Sequence, residues 1–123
     1  MINPVSVKRV LIVDDVAVNR KLAAAMLKKR GWDIVEVDSG PAALDRLQAE
    51  PFDYVLLDIS MPGMSGDEVC RLIRSAEATR DLRVVAYTAH ALESEKAQIM
   101  AAGFDDIIIK PVTIDALLAK FPE

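Results

Sequence analysis

The chain has 123 residues, a length that favours a single domain, and 52% of its residues are apolar. Its 15 Lys and Arg against 19 Asp and Glu give a formal net charge of −4, which argues against a nucleic-acid-binding surface. No apolar run approaches the roughly 20 residues of a membrane span, and the first residues lack the pattern of a signal peptide. The only cysteine, Cys70, excludes an internal disulfide and is typical of a reducing compartment. We therefore expect a cytoplasmic protein.

Five short segments rich in branched apolar residues predict β-strands. Four of them are continuously apolar and too short for a typical helix, which predicts buried strands at 10–13, 54–57, 84–87 and 107–109. The fifth, 33–37, alternates polar with apolar residues. This alternation is typical of a strand with one wetter side, and we expect it at the edge of the sheet.

The segments between these strands have helical character. The first runs from about Val18 to Arg30, where Leu22, Met26 and Leu27 form one stripe that we expect to be in the core. The others begin near residues 41, 65, 93 and 113, at Ser-Gly-Pro, Ser-x-x-Glu and Thr sequences that are typical of helix N-termini. Alternating strands and helices predict a doubly wound α/β domain with a five-stranded parallel sheet. We expect residues 4–123 to form this domain, with no output domain in the sequence.

Polar residues follow four of the five strands at the point where each strand ends. Asp14 and Asp15 follow the first strand, Asp58 the third, Thr88 the fourth and Lys110 the fifth. Ligands of open parallel sheets bind at this edge, so we expect the five side chains to share one cleft.

Three carboxylates in one cleft repel one another, and a hard divalent cation relieves that repulsion. Oxygen ligands without His or Cys favour Mg²⁺, with Asp14 and Asp15 as candidate metal ligands. Asp58 is then a candidate nucleophile for phosphoryl transfer, which requires alignment and charge neutralisation above all. Thr88 is placed to donate its hydroxyl to a phosphoryl oxygen, and Lys110 to supply positive charge.

The loop after the third strand contains Gly63 and Gly66, which we expect to permit a close backbone approach. With this loop in place, the sequence closely resembles the receiver domain of two-component response regulators, over about Lys8 to Lys120. The resemblance depends on four motifs in family order: Val-Asp-Asp at 13–15, Leu-Asp-Ile-Ser-Met-Pro-Gly-Met-Ser-Gly at 57–66, Tyr-Thr-Ala-His-Ala at 87–91, and Gly-Phe-Asp-Asp at 103–106 leading to Lys-Pro at 110–111.

The resemblance implies the strand order 2-1-3-4-5, which is the order of a chemotaxis regulator used as a worked example of this fold. It also implies phosphorylation of Asp58 by a histidine kinase or histidine phosphotransfer protein, with Mg²⁺ bound by Asp14, Asp15, Asp58 and the carbonyl of Ser60. It further implies a cis peptide bond before Pro111. In the family, the positions of Ser60 and His90 flank the path of the attacking water and tune the lifetime of the phosphoryl group.

One position departs from the family pattern. Many receivers have Tyr or Phe three residues before the lysine, and its ring turns inward on phosphorylation, whereas this chain has Ile107. Tyr87 does not replace that ring, because it precedes Thr88 on the strand and faces the opposite side of the sheet. We therefore do not expect a rotating aromatic ring to propagate the signal in this chain.

Simpler interpretations exist for several of these residues. Asp14 and Asp15 are also typical of acids at a helix N-terminus, Thr88 of a turn, and Lys110 of a strand-end lysine that extends to solvent. At the level of function, a phosphoaccepting signalling module competes with a pseudo-receiver that only binds partners and with a Mg²⁺-dependent phosphohydrolase. A donor protein is expected to dock at the start of the first helix, including Asn19 and Leu22, and at the loops after the third, fourth and fifth strands.

Overall fold

Five strands alternate with five helices in the computed structural model, which describes residues 7–89 and 91–122. The strands are β1 (Arg9–Val13), β2 (Asp33–Val37), β3 (Tyr54–Asp58), β4 (Arg83–Thr88) and β5 (Asp106–Ile109). The helices are α1 (Ala17–Lys28), α2 (Gly40–Ala49), α3 (Gly66–Ser75), α4 (Glu93–Ala101) and α5 (Ile114–Lys120).

All strand pairs are parallel, and the sheet order is β2-β1-β3-β4-β5. This order confirms the doubly wound α/β fold and the 2-1-3-4-5 topology. β2 is an edge strand with no fully buried residue, as its alternating sequence predicts. The central strand β3 is buried throughout. The order reverses between β1 and β3, and this reversal opens a crevice at their carboxyl ends.

Successive residues of each strand enter two separate cores, one on each face of the sheet. Leu11, Val55 and Val84 face one core, which α2, α3 and α4 complete. Ile12, Leu56 and Val85 face the second core, on the opposite side of the sheet, which α1 and α5 complete. Helices on both faces explain why the strands are continuously apolar in sequence.

The first helix differs from its predicted stripe. Its buried residues are Ala23, Ala24 and Leu27, and Met26 packs against the same core. Leu22, which we expected in the core, is 41% exposed. Small alanines face the sheet because α1 lies close against it, and this leaves Leu22 on the outer rim.

Hydroxyl side chains cap three helices where the sequence predicts their starts. Oγ of Ser39 accepts a hydrogen bond from the backbone N–H of Ala42 at 3.3 Å, and Oγ of Ser65 accepts one from Glu68 at 3.3 Å. Thr113 caps α5 in the same way. These bonds satisfy N–H groups that have no partner within the helix, so they fix where each helix begins.

The two glycines of the β3–α3 loop have different roles. A Cβ on Gly66 would lie 2.6 Å from Cα of Ile59 and would contact the carbonyl oxygen of Asp58. Gly66 therefore permits the close backbone approach that the sequence predicts. At Gly63 that expectation is wrong, because a Cβ there would meet nothing within 4 Å. Its φ of +78° explains the glycine instead, since the loop turns in the left-handed region there.

Two acids before and at the start of β5 lie at the opposite end of the sheet from the crevice. Asp105 accepts hydrogen bonds from Arg74 and from the backbone N–H of Val84, each at 2.8 Å. Asp106 pairs with Lys120 at 2.9 Å. Both acids therefore pair with basic side chains at the end of the sheet remote from the crevice.

His90 lies outside the described residues. Within the two described stretches, none of the helices combines the length and apolar character required to traverse a lipid bilayer.

Candidate functional site

Three carboxylates meet at the carboxyl ends of β1 and β3. One carboxylate oxygen from each of Asp14, Asp15 and Asp58 lies within 4.8 Å of the others. Asp14 is fully buried, Asp58 is 3% exposed, and Asp15 is exposed. The crevice therefore has two acids in its floor and one at its mouth.

Lys110 supplies the positive charge of the crevice. Its Nζ lies 2.9 Å from Oδ2 of Asp14 and 3.6 Å from Oδ1 of Asp58, and its side chain is 13% exposed. The peptide bond between Lys110 and Pro111 is cis, as the resemblance implies. The lysine does not extend to solvent, so this simpler interpretation is wrong.

Asp14 is fixed by contacts with β2 and with the start of α1. Its backbone N–H donates to the carbonyl of Val37 in β2 at 3.2 Å. Its Oδ1 accepts from the backbone N–H of Val16 at 2.9 Å, and its carbonyl accepts from Nη1 of Arg20 at 2.9 Å. Asp14 and Asp15 precede the N-cap residue Val16, and the first turn of α1 contains no acid. Complementing the helix dipole is therefore not a sufficient explanation for this pair.

Asp58 is a carboxylate whose charge is opposed by its surroundings. Burial above all, together with the nearby Asp14, raises the pKa of Asp58 to about 6, although the hydrogen bond from the backbone N–H of Ser60 at 3.0 Å acts in the opposite direction. Lys110 also favours the charged form. A carboxyl that is costly to ionise and lies beside a second acid is typical of functional sites.

Thr88 ends β4 beside this cluster and is 4% exposed. Its carbonyl accepts a hydrogen bond from the backbone N–H of Lys110 at 2.7 Å, which ties the end of β4 to the lysine. Thr88 and Ser60 line one small cavity of about 120 Å³, together with Asp67 and Gln98. The structure thus brings all the predicted site residues to one edge of the sheet.

Tyr87 is a neighbour of the site that the sequence reasoning did not include. Its side chain is fully buried and faces the α1 and α5 core, as expected from its position before Thr88. Nevertheless, Nζ of Lys110 lies 4.8 Å from the centre of its ring, and its hydroxyl donates to the carbonyl of Asn19 at 3.4 Å. Burial raises the pKa of Tyr87 to about 12, so the hydroxyl remains protonated. The ring forms a platform for the lysine.

Ile107 packs as an apolar residue against the core that contains Ile99, Ala102 and Phe104. Its neighbour in the sheet is Ala86. An aliphatic side chain in this position has no polar end to exchange between the core and solvent. The structure is therefore consistent with a signal route that does not depend on a rotating aromatic ring.

The donor set fits a hard divalent cation. All candidate ligands are oxygens, and carboxylates with carbonyl oxygens and water are the usual ligands of Mg²⁺. Oδ2 of Asp14 is buried and, within the described residues, accepts no hydrogen bond, although the Lys110 ammonium lies close to it. A buried carboxylate oxygen that is not hydrogen-bonded has a free lone pair to offer a metal.

This geometry agrees with what comparisons with known proteins find. The sequence model of the response regulator receiver domain matches residues 10–121. The chain belongs to this family. The receiver domain is similar to a stretch of the sensor protein GacS of Pseudomonas syringae pv. syringae, with 43% identity over 108 residues, which cover 85% of this chain and 12% of that protein. It is also 40% identical over 121 residues to the virulence sensor protein BvgS of Bordetella pertussis, which cover 94% of this chain and 10% of BvgS.

Solved receiver structures have the same fold. The receiver domain of the sensor histidine kinase PA1611 from Pseudomonas aeruginosa PAO1 superposes with a TM-score of 0.85 at 29% identity, covering 93% of each chain. That structure is described with a magnesium ion coordinated in the active-site cleft. The chemotaxis protein CheY4 of Vibrio cholerae gives a TM-score of 0.87 at 25% identity, covering 93% of this chain and 95% of that one. The chain thus spans a small part of its curated relatives and nearly all of a receiver fold.

Proposed function

We propose that Asp58 of this receiver domain accepts a phosphoryl group from a phosphohistidine on a partner protein, in a reaction that requires Mg²⁺. The observation that carries the proposal is the convergence of the Asp14 and Asp15 carboxylates and the Lys110 ammonium on a buried Asp58. The family of the chain supports the same role.

The transfer is a substitution at phosphorus. A carboxylate oxygen of Asp58 attacks, the bond between phosphorus and the donor imidazole nitrogen breaks, and that nitrogen retains the electron pair and takes up a proton from solvent. The product is an aspartyl phosphate. Thr88 donates its hydroxyl to a phosphoryl oxygen, and Lys110, which lies 3.6 Å from Asp58, neutralises a second one.

Asp14, Asp15, Asp58 and the carbonyl of Ser60 are the residues that would hold Mg²⁺ here. The ion supplies charge neutralisation for the phosphoryl oxygens when it is bound. With Mg²⁺ bound, the three carboxylates and Lys110 sum to zero formal charge. Phosphorylation removes the negative charge of Asp58 and adds two on the phosphoryl oxygens, so the net charge of the cleft becomes only −1. Hydrolysis of the aspartyl phosphate by water in the same cleft would return Asp58 to its free form and so reset the domain.

The partner is a histidine kinase or a histidine phosphotransfer protein. Relatives with 40% identity or more are named as sensor proteins, in which this sequence occupies about a tenth of the length. Val18 and Leu22 on α1 are 73% and 41% exposed next to Asp15, and they offer an apolar rim on which a donor helix can dock. The free thiol of Cys70 supports a cytoplasmic location for this exchange.

The test is intact-protein mass spectrometry after incubation with acetyl phosphate and Mg²⁺. Wild type is expected to gain the mass of one phosphoryl group, and Asp58→Asn is expected to gain none. Asp45→Asn, which alters an exposed acid on α2, is the matched control and should be labelled like wild type.

Other outcomes would support the competing functions. Repeated hydrolysis of a phosphate ester in excess over protein, without an aspartyl phosphate at position 58, would indicate a phosphohydrolase. Wild type that is folded, binds Mg²⁺ and remains unlabelled would indicate a pseudo-receiver. Labelling of Asp58→Asn at the wild-type level would exclude Asp58 as the acceptor.

A further inference from the structure

The guanidinium of Arg20 joins the metal-binding turn to the edge of the sheet. Its Nη1 donates to the carbonyl oxygen of Asp14 at 2.9 Å, and its Nε donates to Oε1 of Glu36 at 3.1 Å. Arg20 belongs to α1, Glu36 to β2, and Asp14 follows β1, so one side chain connects three elements. The side chains of Arg20 and Glu36 are 15% and 20% exposed, which protects both bonds from competition by water.

Glu36 has two further cationic neighbours that differ from Arg20. Nζ of Lys21 lies 3.7 Å from Oε1 of Glu36, and Nζ of Lys28 lies 3.8 Å from Oε2. Both lysines are more than half exposed. Among the contacts of the described residues, Arg20 is the cation that reaches Asp14 as well as Glu36. The chain therefore contains its own controls for a loss of charge beside Glu36.

We propose that Arg20, oriented by Glu36, is a positioning residue for the Mg²⁺ site. This inference rests on the proposed function, because it assumes that Asp14 and Asp15 bind the ion. The carbonyl that Arg20 contacts belongs to the planar peptide between Asp14 and Asp15. Fixing this oxygen fixes the orientation of that peptide, and hence the point from which the exposed Asp15 carboxylate projects.

The chemistry of arginine suits this role. Its planar fork donates in two directions at once, here to a carboxylate and to a carbonyl, and it stays charged at any ordinary pH. A lysine at the same position keeps the charge but has a single donor centre. Arg20→Lys therefore removes the two-directional guanidinium while it keeps the positive charge.

Charge and positioning predict opposite effects on metal affinity. A positively charged side chain near the site repels Mg²⁺, so removing that charge favours binding of the ion. If charge alone matters, Mg²⁺ should therefore bind slightly more tightly to Arg20→Gln, Lys21→Gln and Lys28→Gln. If Arg20 positions the turn, Arg20→Gln binds Mg²⁺ more weakly while the two lysine variants do not. Loss of a residue that orients a metal ligand typically weakens affinity about 10- to 100-fold.

The experiment is calorimetric titration of the full metal-free chain with Mg²⁺ alone. We expect affinity to fall at least about tenfold in Arg20→Gln. It should fall by an intermediate amount in Arg20→Lys and Glu36→Gln, and the double variant Arg20→Gln/Glu36→Gln should bind no more weakly than Arg20→Gln. Phosphorylation of Arg20→Gln by acetyl phosphate should reach the wild-type rate at saturating Mg²⁺, since the defect lies in binding the ion.

Several results would overturn the inference. They are Arg20→Gln with unchanged or tighter Mg²⁺ binding, equal weakening in the lysine controls, or a rate that stays low at saturating Mg²⁺. Should Arg20→Gln fail to fold, Arg20→Lys decides in the same way, because it keeps the charge and loses the planar guanidinium. Wild type that binds Mg²⁺ but is never phosphorylated would contradict the proposed function and leave the role of Arg20 supported, whereas wild type that binds no Mg²⁺ would overturn the role of Arg20.

Discussion

Nζ of Lys110 lies 2.9 Å from Oδ2 of Asp14 but 3.6 Å from Oδ1 of Asp58, the proposed phosphoacceptor. The lysine therefore neutralises the fully buried acid first, while Asp58 is left with a raised pKa. A cation bound by the acids would compete with this contact and free the ammonium for the phosphoryl group. We therefore expect metal binding and phosphoryl transfer both to depend on the Lys110 ammonium.

Lys110→Ala should destabilise the metal-free protein, because it leaves two buried acids without their cation. Breaking a buried pair by removing one partner costs about 3 kcal/mol or more. Lys120→Ala is the matched control, since Lys120 makes a 2.9 Å pair with Asp106 in which both side chains are about a third exposed. Removing such an exposed pair costs about 1 kcal/mol or less. Urea unfolding in the presence of a chelator measures both, and an equal loss in the two variants would contradict this account of Lys110.

The stability of the metal-free protein should depend on pH through Asp58. The pKa of Asp58 in the folded protein is about 6, above the ordinary value of 3.8 for an aspartate, so the folded state binds this proton more tightly than the unfolded state. Protonation of Asp58 therefore contributes fully to the stability of the folded state below about pH 4, and this contribution is lost as the pH rises through 6. Asp58→Asn removes this dependence.

The difference in unfolding free energy between Asp58→Asn and wild type is the quantity to measure, in chelator, from about pH 4 to pH 7. It should grow in favour of the variant by up to about 3 kcal/mol across that range. Added Mg²⁺ should reduce the advantage of the variant, since the ion stabilises the charged carboxylate. A difference that stays constant with pH would show that Asp58 is not held in an unfavourable environment.

The two glycines of the β3–α3 loop should respond differently to alanine. Gly66→Ala places a Cβ 2.6 Å from Cα of Ile59, where only backbone movement can relieve the clash. We expect a loss of about 3 kcal/mol and a lower phosphorylation rate, because the displaced backbone is adjacent to Asp58. Gly63→Ala meets open space and should cost only the left-handed conformation, about 1 kcal/mol. Equal losses in urea unfolding would contradict this distinction.

Tyr87 should matter for its ring more than for its hydroxyl. Tyr87→Phe keeps the face that lies 4.8 Å from Nζ of Lys110 and loses the hydroxyl's hydrogen bonds to the backbone of Asn19 and Val112, so its phosphorylation rate should stay close to that of wild type. Tyr87→Leu removes the platform and should slow phosphorylation about fivefold, within the range of a partly buried cation–π contact. Initial rates with acetyl phosphate test this. Similar rates for the two variants would contradict the role of the ring.

The strands and the site acids are predictable from sequence because both follow local rules. Continuous apolar runs predict buried parallel strands, and the residue that follows each run must lie at the ligand-binding edge. Asp14, Asp58 and Lys110 are found in this way without any knowledge of their contacts. The roles of Thr88 and of the Ser60 carbonyl remain predictions, since their geometry beside a phosphoryl group or a metal is not tested by the structure.

The contributions of Arg20, Glu36 and Tyr87 could not be predicted, because they depend on how elements pack. Arg20 contacts Asp14 and Glu36 across three elements, and no spacing along the chain specifies that contact. Tyr87 faces away from the cleft as strand alternation predicts, yet the long side chain of Lys110 reaches over its ring. Leu22 shows the reverse, since its helical spacing predicted burial but the neighbouring alanines lie against the sheet instead.

The most direct test of the account is to locate the phosphoryl group. Wild type is treated with acetyl phosphate and Mg²⁺, the aspartyl phosphate is reduced with borohydride to homoserine, and the digested protein is sequenced by mass spectrometry. The account predicts homoserine at position 58 that is lost when Mg²⁺ is chelated. Homoserine at position 14 or 15, or none at any position in folded Mg²⁺-bound protein, would contradict it.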